Sequence, residues 1–212
     1  MTETRTIAVL TFDGFNEIDS FVAAAMLNRV KQPGMRALIT SPSKWVTSMN
    51  GVVIQSQAPL AFAREADAVI VGSSGLNREP ARLSGIVGQL ELDPAHQIIG
   101  SQCSGALVLA KLGLLANVPA CTDLKTKSWV EEAGVQVLDQ PFVAHGNVAT
   151  AGGCLASHYL AAWVISRLAG WKTAEDILFW VAPVGQKQEY IERARKVLAP
   201  YLFAEVGDVR SR

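Results

Sequence analysis

The sequence predicts an α/β protein, a parallel sheet with helices on both faces in a three-layer sandwich. Three observations lead there. Short apolar, β-branched runs recur at 6–11, 36–40, 67–71 and 98–100, each the length of a buried strand. Helical stretches lie between them, and successive strands of a parallel sheet need such crossovers. The strands also run into loops, 12–19, 72–75, 101–104 and 121–124, which this topology brings to one crevice at the carboxyl edge of the sheet.

Each element has its own signal. Strand 6–11 ends in Phe12-Asp13-Gly14, a turn, and 15–20 lead into a helix over 21–27 closed by Lys31-Gln32-Pro33-Gly34. Strand 36–40 stops at Ser41-Pro42. Asn50-Gly51, between Val46-Thr47-Ser48 and Val52-Val53-Ile54, marks a hairpin because Asn-Gly takes positive φ at both turn positions. After strand 67–71 and the small-residue loop Gly72-Ser73-Ser74-Gly75, residues 79–91 read as a helix weakened by Gly85 and Gly88. Beyond the strand at 98–100 and the Ala/Leu-rich helix that follows it, 120–122 reads as a short strand and 125–133 as a helix ended by Gly134. Short β segments follow at 135–138, 142–144 and 148–150, with Gly146-Asn147 as a turn. Helix 155–168 is capped by Gly170, and a helical pair over 173–181 and 186–200, kinked at Pro183, completes one domain, 1–212, with 171–212 as its C-terminal helical extension.

Composition narrows the function. Half of the 212 residues are hydrophobic, enough for one substantial core, and 19 basic side chains balance 19 acidic ones. That balance argues against nucleic acid or an anionic membrane as the main partner and is compatible with a small-molecule substrate. No apolar run is long enough to span a bilayer, and residues 1–6 do not resemble a signal peptide. Cys103, Cys121 and Cys154 form no CxxC pair and no zinc pattern with the three histidines, so free thiols in a reducing cytoplasm, with no metal and no cofactor, are the simplest expectation.

The chemistry centres on Ser101-Gln102-Cys103-Ser104-Gly105, between a β-branched strand and an Ala/Leu-rich helix. Small flanking residues let the chain turn sharply there, as in a nucleophile elbow; the alternative is a buried core cysteine. Gly105 permits close backbone approach. At an elbow, Cys103 faces a helix N-terminus that favours the thiolate, which makes it the most reactive of the three thiols. Asp19 begins a helix at the same sheet edge and is either its N-cap or a carboxyl group delivered to Cys103; Glu17, the nearby rival, faces solvent. His145 reads as a turn residue, His96 as surface and His158 as a packed helix residue. Cys121 and Cys154 read as core thiols.

These residues resemble the ThiJ/PfpI superfamily of class I glutamine amidotransferase-like proteins. Cys103-Ser104-Gly105-Ala106-Leu107-Val108-Leu109-Ala110-Lys111-Leu112-Gly113-Leu114-Leu115 is similar to the elbow of the branch that holds isocyanide hydratases and the sensor halves of some AraC-type regulators. Residues 12–19 resemble the family's first loop, whose last acid is here Asp19, and Thr150-Ala151-Gly152-Gly153 resembles its glycine-rich segment. The likeness spans about residues 5–170. It implies a flavodoxin-like fold, a homodimer, catalytic Cys103 and Asp19, positioning groups at Ser104, Ser74 and Gly75, and a substrate pocket at Thr122, Asp123, Gly152 and Gly153. Three positions depart from the pattern. Thr122-Asp123-Leu124 stands where relatives carry Thr-x-His, Ser73-Ser74 stands for Gly-Gly, and the acid of the late helix is replaced near His158-Tyr159. The resemblance therefore implies an isocyanide hydratase-like lyase, with a glyoxalase or deglycase acting on α-oxoaldehydes, or a non-catalytic redox-sensing or ligand-binding module, as alternatives.

Overall fold

A computed structural model describes residues 4–31 and 34–202, with the backbone alone at 80–82. β1 (Arg5–Leu10) leads through α1 (Glu17–Leu27) to β2 (Met35–Ser41), the hairpin β3 (Trp45–Thr47) and β4 (Val53–Gln55), and β5 (Ala58–Pro59). A 3₁₀ turn at Leu60–Arg64 precedes β6 (Ala68–Val71), and another at Gly75–Arg78 precedes α2 (Pro80–Val87). Next come β7 (Ile98–Gln102), α3 (Gly105–Lys111), α4 (Lys127–Glu132), β8 (Phe142–His145) and β9 (Val148–Ala151). A 3₁₀ turn at Cys154–Ala156 opens α5 (Ser157–Ala169), followed by α6 (Trp171–Val181) and α7 (Lys187–Leu202). Among the described residues no helix is long and apolar enough to cross a membrane.

Seven strands form one sheet in the order β5-β2-β1-β6-β7-β9-β8. Every pair is parallel except β8–β9, where Gly146-Asn147 turns the chain too tightly for a crossover. The chain leaves β1 toward β2 on one side, yet β6 pairs with β1 on the other. The loops after β1 and β6 therefore diverge above this switch point, where parallel α/β sheets place their sites.

Alternation along the strands builds two cores. Ile7 and Val9 of β1 and Ile70 of β6 face α1, α5, α6 and α7, around the fully buried Trp163. Ala8, Leu10, Val69, Val71 and Ile99 face α3, with Leu107 and Leu109 packed on them. The three-layer α/β sandwich predicted from the sequence is thus the observed fold. The helices read as a C-terminal extension supply Ala174, Ile177, Leu178, Ile191, Ala194 and Leu198 to the first core.

Local differences have local causes. Residues 120–122 and 135–138 make one isolated bridge, Ala120 to Val137, and no continuous strand. α1 starts at Glu17 because Asn16, with extended backbone, caps it by accepting from the Ile18 amide at 3.1 Å. Pro183 lies in the link between α6 and α7, so it separates two helices and kinks neither. Gln32-Pro33 of the predicted helix stop and residues 203–212 of the predicted extension lie outside the described residues.

Gly105 meets β6 so closely that a Cβ on it would stand 2.3 Å from the Val71 carbonyl oxygen, whereas a Cβ on Gly85 would meet nothing within 4 Å. Gly105→Ala is expected to destabilise the fold by about 1–3 kcal/mol through backbone displacement, and Gly85→Ala, inside a helix, to stabilise it by about 0.5–1 kcal/mol. Urea denaturation midpoints of the two variants check both signs.

Candidate functional site

Cys103 holds φ +47°, one of two non-glycine residues with positive φ among those described, at the turn from β7 into α3. This is the strained strand-to-helix geometry that the small flanks predict. Three bonds hold it. The Cys103 amide donates to the Ala151 carbonyl at 2.9 Å, Thr122 Oγ1 donates to the Cys103 carbonyl at 2.8 Å, and Gln102 Nε2 approaches Cys103 Sγ at 3.6 Å. The same Gln102 amide donates to the Gly153 carbonyl at 2.8 Å, tying the elbow to the loop after β9.

Asp19 is the third residue of α1, not its cap, and is completely buried. Its Oδ2 accepts a short hydrogen bond from Ser73 Oγ, while Oδ1 has no nitrogen or oxygen donor. The carboxyl group faces two sulfurs. Asp19, Cys103 and Cys154 offer a carboxylate oxygen and two Sγ atoms that all lie within 4.8 Å of one another. Cys154, read from the sequence as a core thiol, is thus part of the cluster, and Asn16 Nδ2 donates to its Sγ at 3.1 Å.

Electrostatics at the cluster run against an exposed thiolate. Burial pushes the Asp19 carboxyl above the usual carboxylate range, partly offset by the Ser73, Cys103 and Cys154 hydrogen bonds. Burial first, and the neighbouring Asp19 charge second, push the Cys103 thiol well above its ordinary value. The same two causes raise Cys154. The sequence expectation that the helix N-terminus favours the Cys103 thiolate is therefore reversed, because the sulfur is buried and an acid stands beside it.

The cluster opens into a crevice of about 870 Å³. Ser74, Gly75, Ser104, Thr122, Asp123, Gly152 and Gly153, all expected near the site, line it, as do Asn16, Ser73 and Cys154, which sequence reasoning left out of the site. The Ser74 and Gly75 amides are both engaged within the protein. The Ser74 amide donates to Ser104 Oγ at 3.0 Å, which donates back to the Ser74 carbonyl at 3.0 Å, and the Gly75 amide donates to the Gly14 carbonyl. Ser104 is therefore a clamp between elbow and loop. The Asp123 carboxylate accepts from the Lys125 and Thr126 amides and from Thr126 Oγ1, so it shapes its own turn. Glu17 does not simply face solvent: Ser48 Oγ and Asn50 Nδ2 bind its carboxylate, and the Ser48 bond chiefly holds its pKa below the usual value.

No histidine lines this crevice. His96 is exposed and paired with Asp93, His145 is exposed at the end of β8, and His158 lines a second cavity of about 660 Å³ behind the 152–154 segment.

Residues 5–167 match the family model described as the DJ-1/PfpI family. The chain belongs to the DJ-1/PfpI family. Solved DJ-1/PfpI-like structures share the fold at low identity. The Schizosaccharomyces pombe DJ-1 structure is 18% identical with a TM-score of 0.69, covering 84% of this chain and 99% of that one. An AraC family transcriptional regulator from Pseudomonas putida is 17% identical at 0.70, covering 84% and 100%. A ThiJ/PfpI family protein from Pseudomonas syringae is 19% identical at 0.68, covering 93% and 89%. No curated protein matches the chain.

Accessibility reorders the thiols. Cys154 is half-buried, Cys103 is 4% exposed and Cys121 is fully buried. Iodoacetamide is expected to modify Cys154 first and Cys121 last, an order that timed alkylation and peptide mapping read directly.

Proposed function

We propose that this DJ-1/PfpI protein is a cysteine-dependent hydratase that converts an isocyanide and water into an N-substituted formamide. The observation that carries the reading is the thiol–carboxyl pair of Cys103 and Asp19, buried at the crevice with no histidine lining that crevice. An isocyanide carbon must accept both a nucleophile and a proton. A neutral thiol against a carboxylate supplies the two together: Asp19 takes the thiol proton as sulfur attacks and delivers it to the same carbon, forming a thioimidate. Asp19 then deprotonates water for attack on that carbon, nitrogen is protonated, and the carbon–sulfur bond breaks to release the formamide and the thiol. Ser73 holds the Asp19 carboxyl in place through Oδ2, leaving Oδ1 for the proton.

The raised thiol pKa is consistent with this step, since a thiolate formed in advance would have given its proton to solvent. Activity toward a panel of small isocyanides is expected in the wild type and absent in Cys103→Ala. Asp19→Asn is expected to lower turnover by ~10²–10⁴-fold, the usual worth of a positioned acid or base. Asp123→Asn is expected to leave it nearly unchanged, because that carboxylate is held by the 125–126 amides. Turnover of methylglyoxal in place of isocyanides would assign the same pair to α-oxoaldehyde chemistry.

The active unit in this proposal is a homodimer. Ile18 (42% exposed) and Phe21 (36%) of α1 and Leu155 (77%) of the adjoining 3₁₀ turn present apolar surface beside the site, and the burial of such surface drives association. Light scattering at micromolar concentration is expected to give twice the 22.7 kDa chain mass, and Leu155→Asp to shift it toward one chain.

A further inference from the structure

We propose that Asp19, Cys103 and Cys154 form a binding site for a thiophilic divalent cation of the zinc class. The donor set is one carboxylate oxygen and two sulfurs within 4.8 Å of one another. Tetrahedral zinc with Zn–S of about 2.3 Å and Zn–O of about 2.0–2.2 Å wants ligand atoms roughly 3.5–3.8 Å apart, so side-chain rotation of about 1 Å closes the set. Two thiolates select zinc over magnesium or calcium, which prefer oxygen. Both cysteines line the 870 Å³ crevice, so the remaining coordination position faces it.

Two independent observations point to a cation. Asp19 Oδ1 is buried with no nitrogen or oxygen donor, beside the two sulfurs. Each ligand also carries its own outer donor. Ser73 Oγ donates to Asp19 Oδ2, Asn16 Nδ2 to Cys154 Sγ at 3.1 Å, and Gln102 Nε2 approaches Cys103 Sγ at 3.6 Å. Three donors around three groups that can each become anionic form the outer shell that orients and holds metal ligands. Sequence spacing hides the site, because its members follow three different strands, β1, β7 and β9, and meet only when the sheet forms. On binding, the thiol protons leave to solvent and both sulfurs coordinate as thiolates, with no change of oxidation state.

The test is an anaerobic titration of the metal-free protein, its three thiols reduced, with Co²⁺ and then Zn²⁺. A thiolate-to-cobalt charge-transfer band saturating at one equivalent and bleached by one equivalent of Zn²⁺ is expected. Cys103→Ser and Cys154→Ser should each lose most of the band, while Cys121→Ser keeps it. Asn16→Ala, which leaves every ligand in place, should weaken cobalt binding by ~10–100-fold. Zn²⁺ should also raise the unfolding temperature of the wild type and not that of a folded Cys154→Ser variant. The absence of a charge-transfer band in reduced wild type, or an undiminished band in Cys154→Ser, overturns the assignment. The hydration mechanism makes no use of Cys154, so failure of either proposal leaves the other standing.

Discussion

The elbow depends on one contact, the backbone of Gly105 lying against the carbonyl of Val71. A Cβ at 105 would stand well inside van der Waals contact distance of that oxygen. With the backbone so close, α3 can start immediately over the end of β6, and Cys103 is forced through positive φ to make the turn. The same approach brings Ser104 within reach of both polar groups of Ser74. Once the 72–75 loop is clamped there, Ser73 stands over Asp19. A single missing methyl group thus aligns the loops after β6 and β7 with the first turn of α1.

That alignment places a carboxyl group and two thiols where their charged forms are poorly solvated. Burial is the leading cause of the pKa rise at all three. Two surrounding donors, Ser73 at Asp19 and Asn16 at Cys154, oppose burial without cancelling it. A buried carboxyl oxygen met only by thiols, with no nitrogen or oxygen donor, costs stability, and such cost concentrates where chemistry is done. The cluster is therefore poised to give up a proton only when something arrives to take its place, whether a reacting carbon or a cation.

What was legible in the sequence was local. The Cys103 elbow, the close approach of Gly105 and the Asn50-Gly51 hairpin each depend on a few adjacent residues whose steric demands can be read directly. Layer order followed from alternating strands and helices. Cys154 was missed because its place depends on register: Gln102 pairs with Ala151, which sets the loop after β9 beside the elbow. Its one sequence signal was the preceding Gly152-Gly153, since a Cβ at 152 would sit 2.4 Å from the Thr122 carbonyl oxygen. Asp19 was found at the right edge but also read as a cap, because the helix was expected over 21–27, whereas Asn16 caps a helix that begins at Glu17. Ser73 was noted only for replacing glycine, and its bond to Asp19 spans 54 positions.

The rims of the sheet set how this molecule can meet others. On one side β5 is only two residues long and ends in Pro59, which has no amide hydrogen to offer. On the other, β8 runs antiparallel and is overlaid by α7, with Tyr201 packed edge-on against Phe142. Neither rim presents a long free ladder for another strand to extend. Among the described residues the sheet is therefore poorly suited to open-ended growth by strand addition.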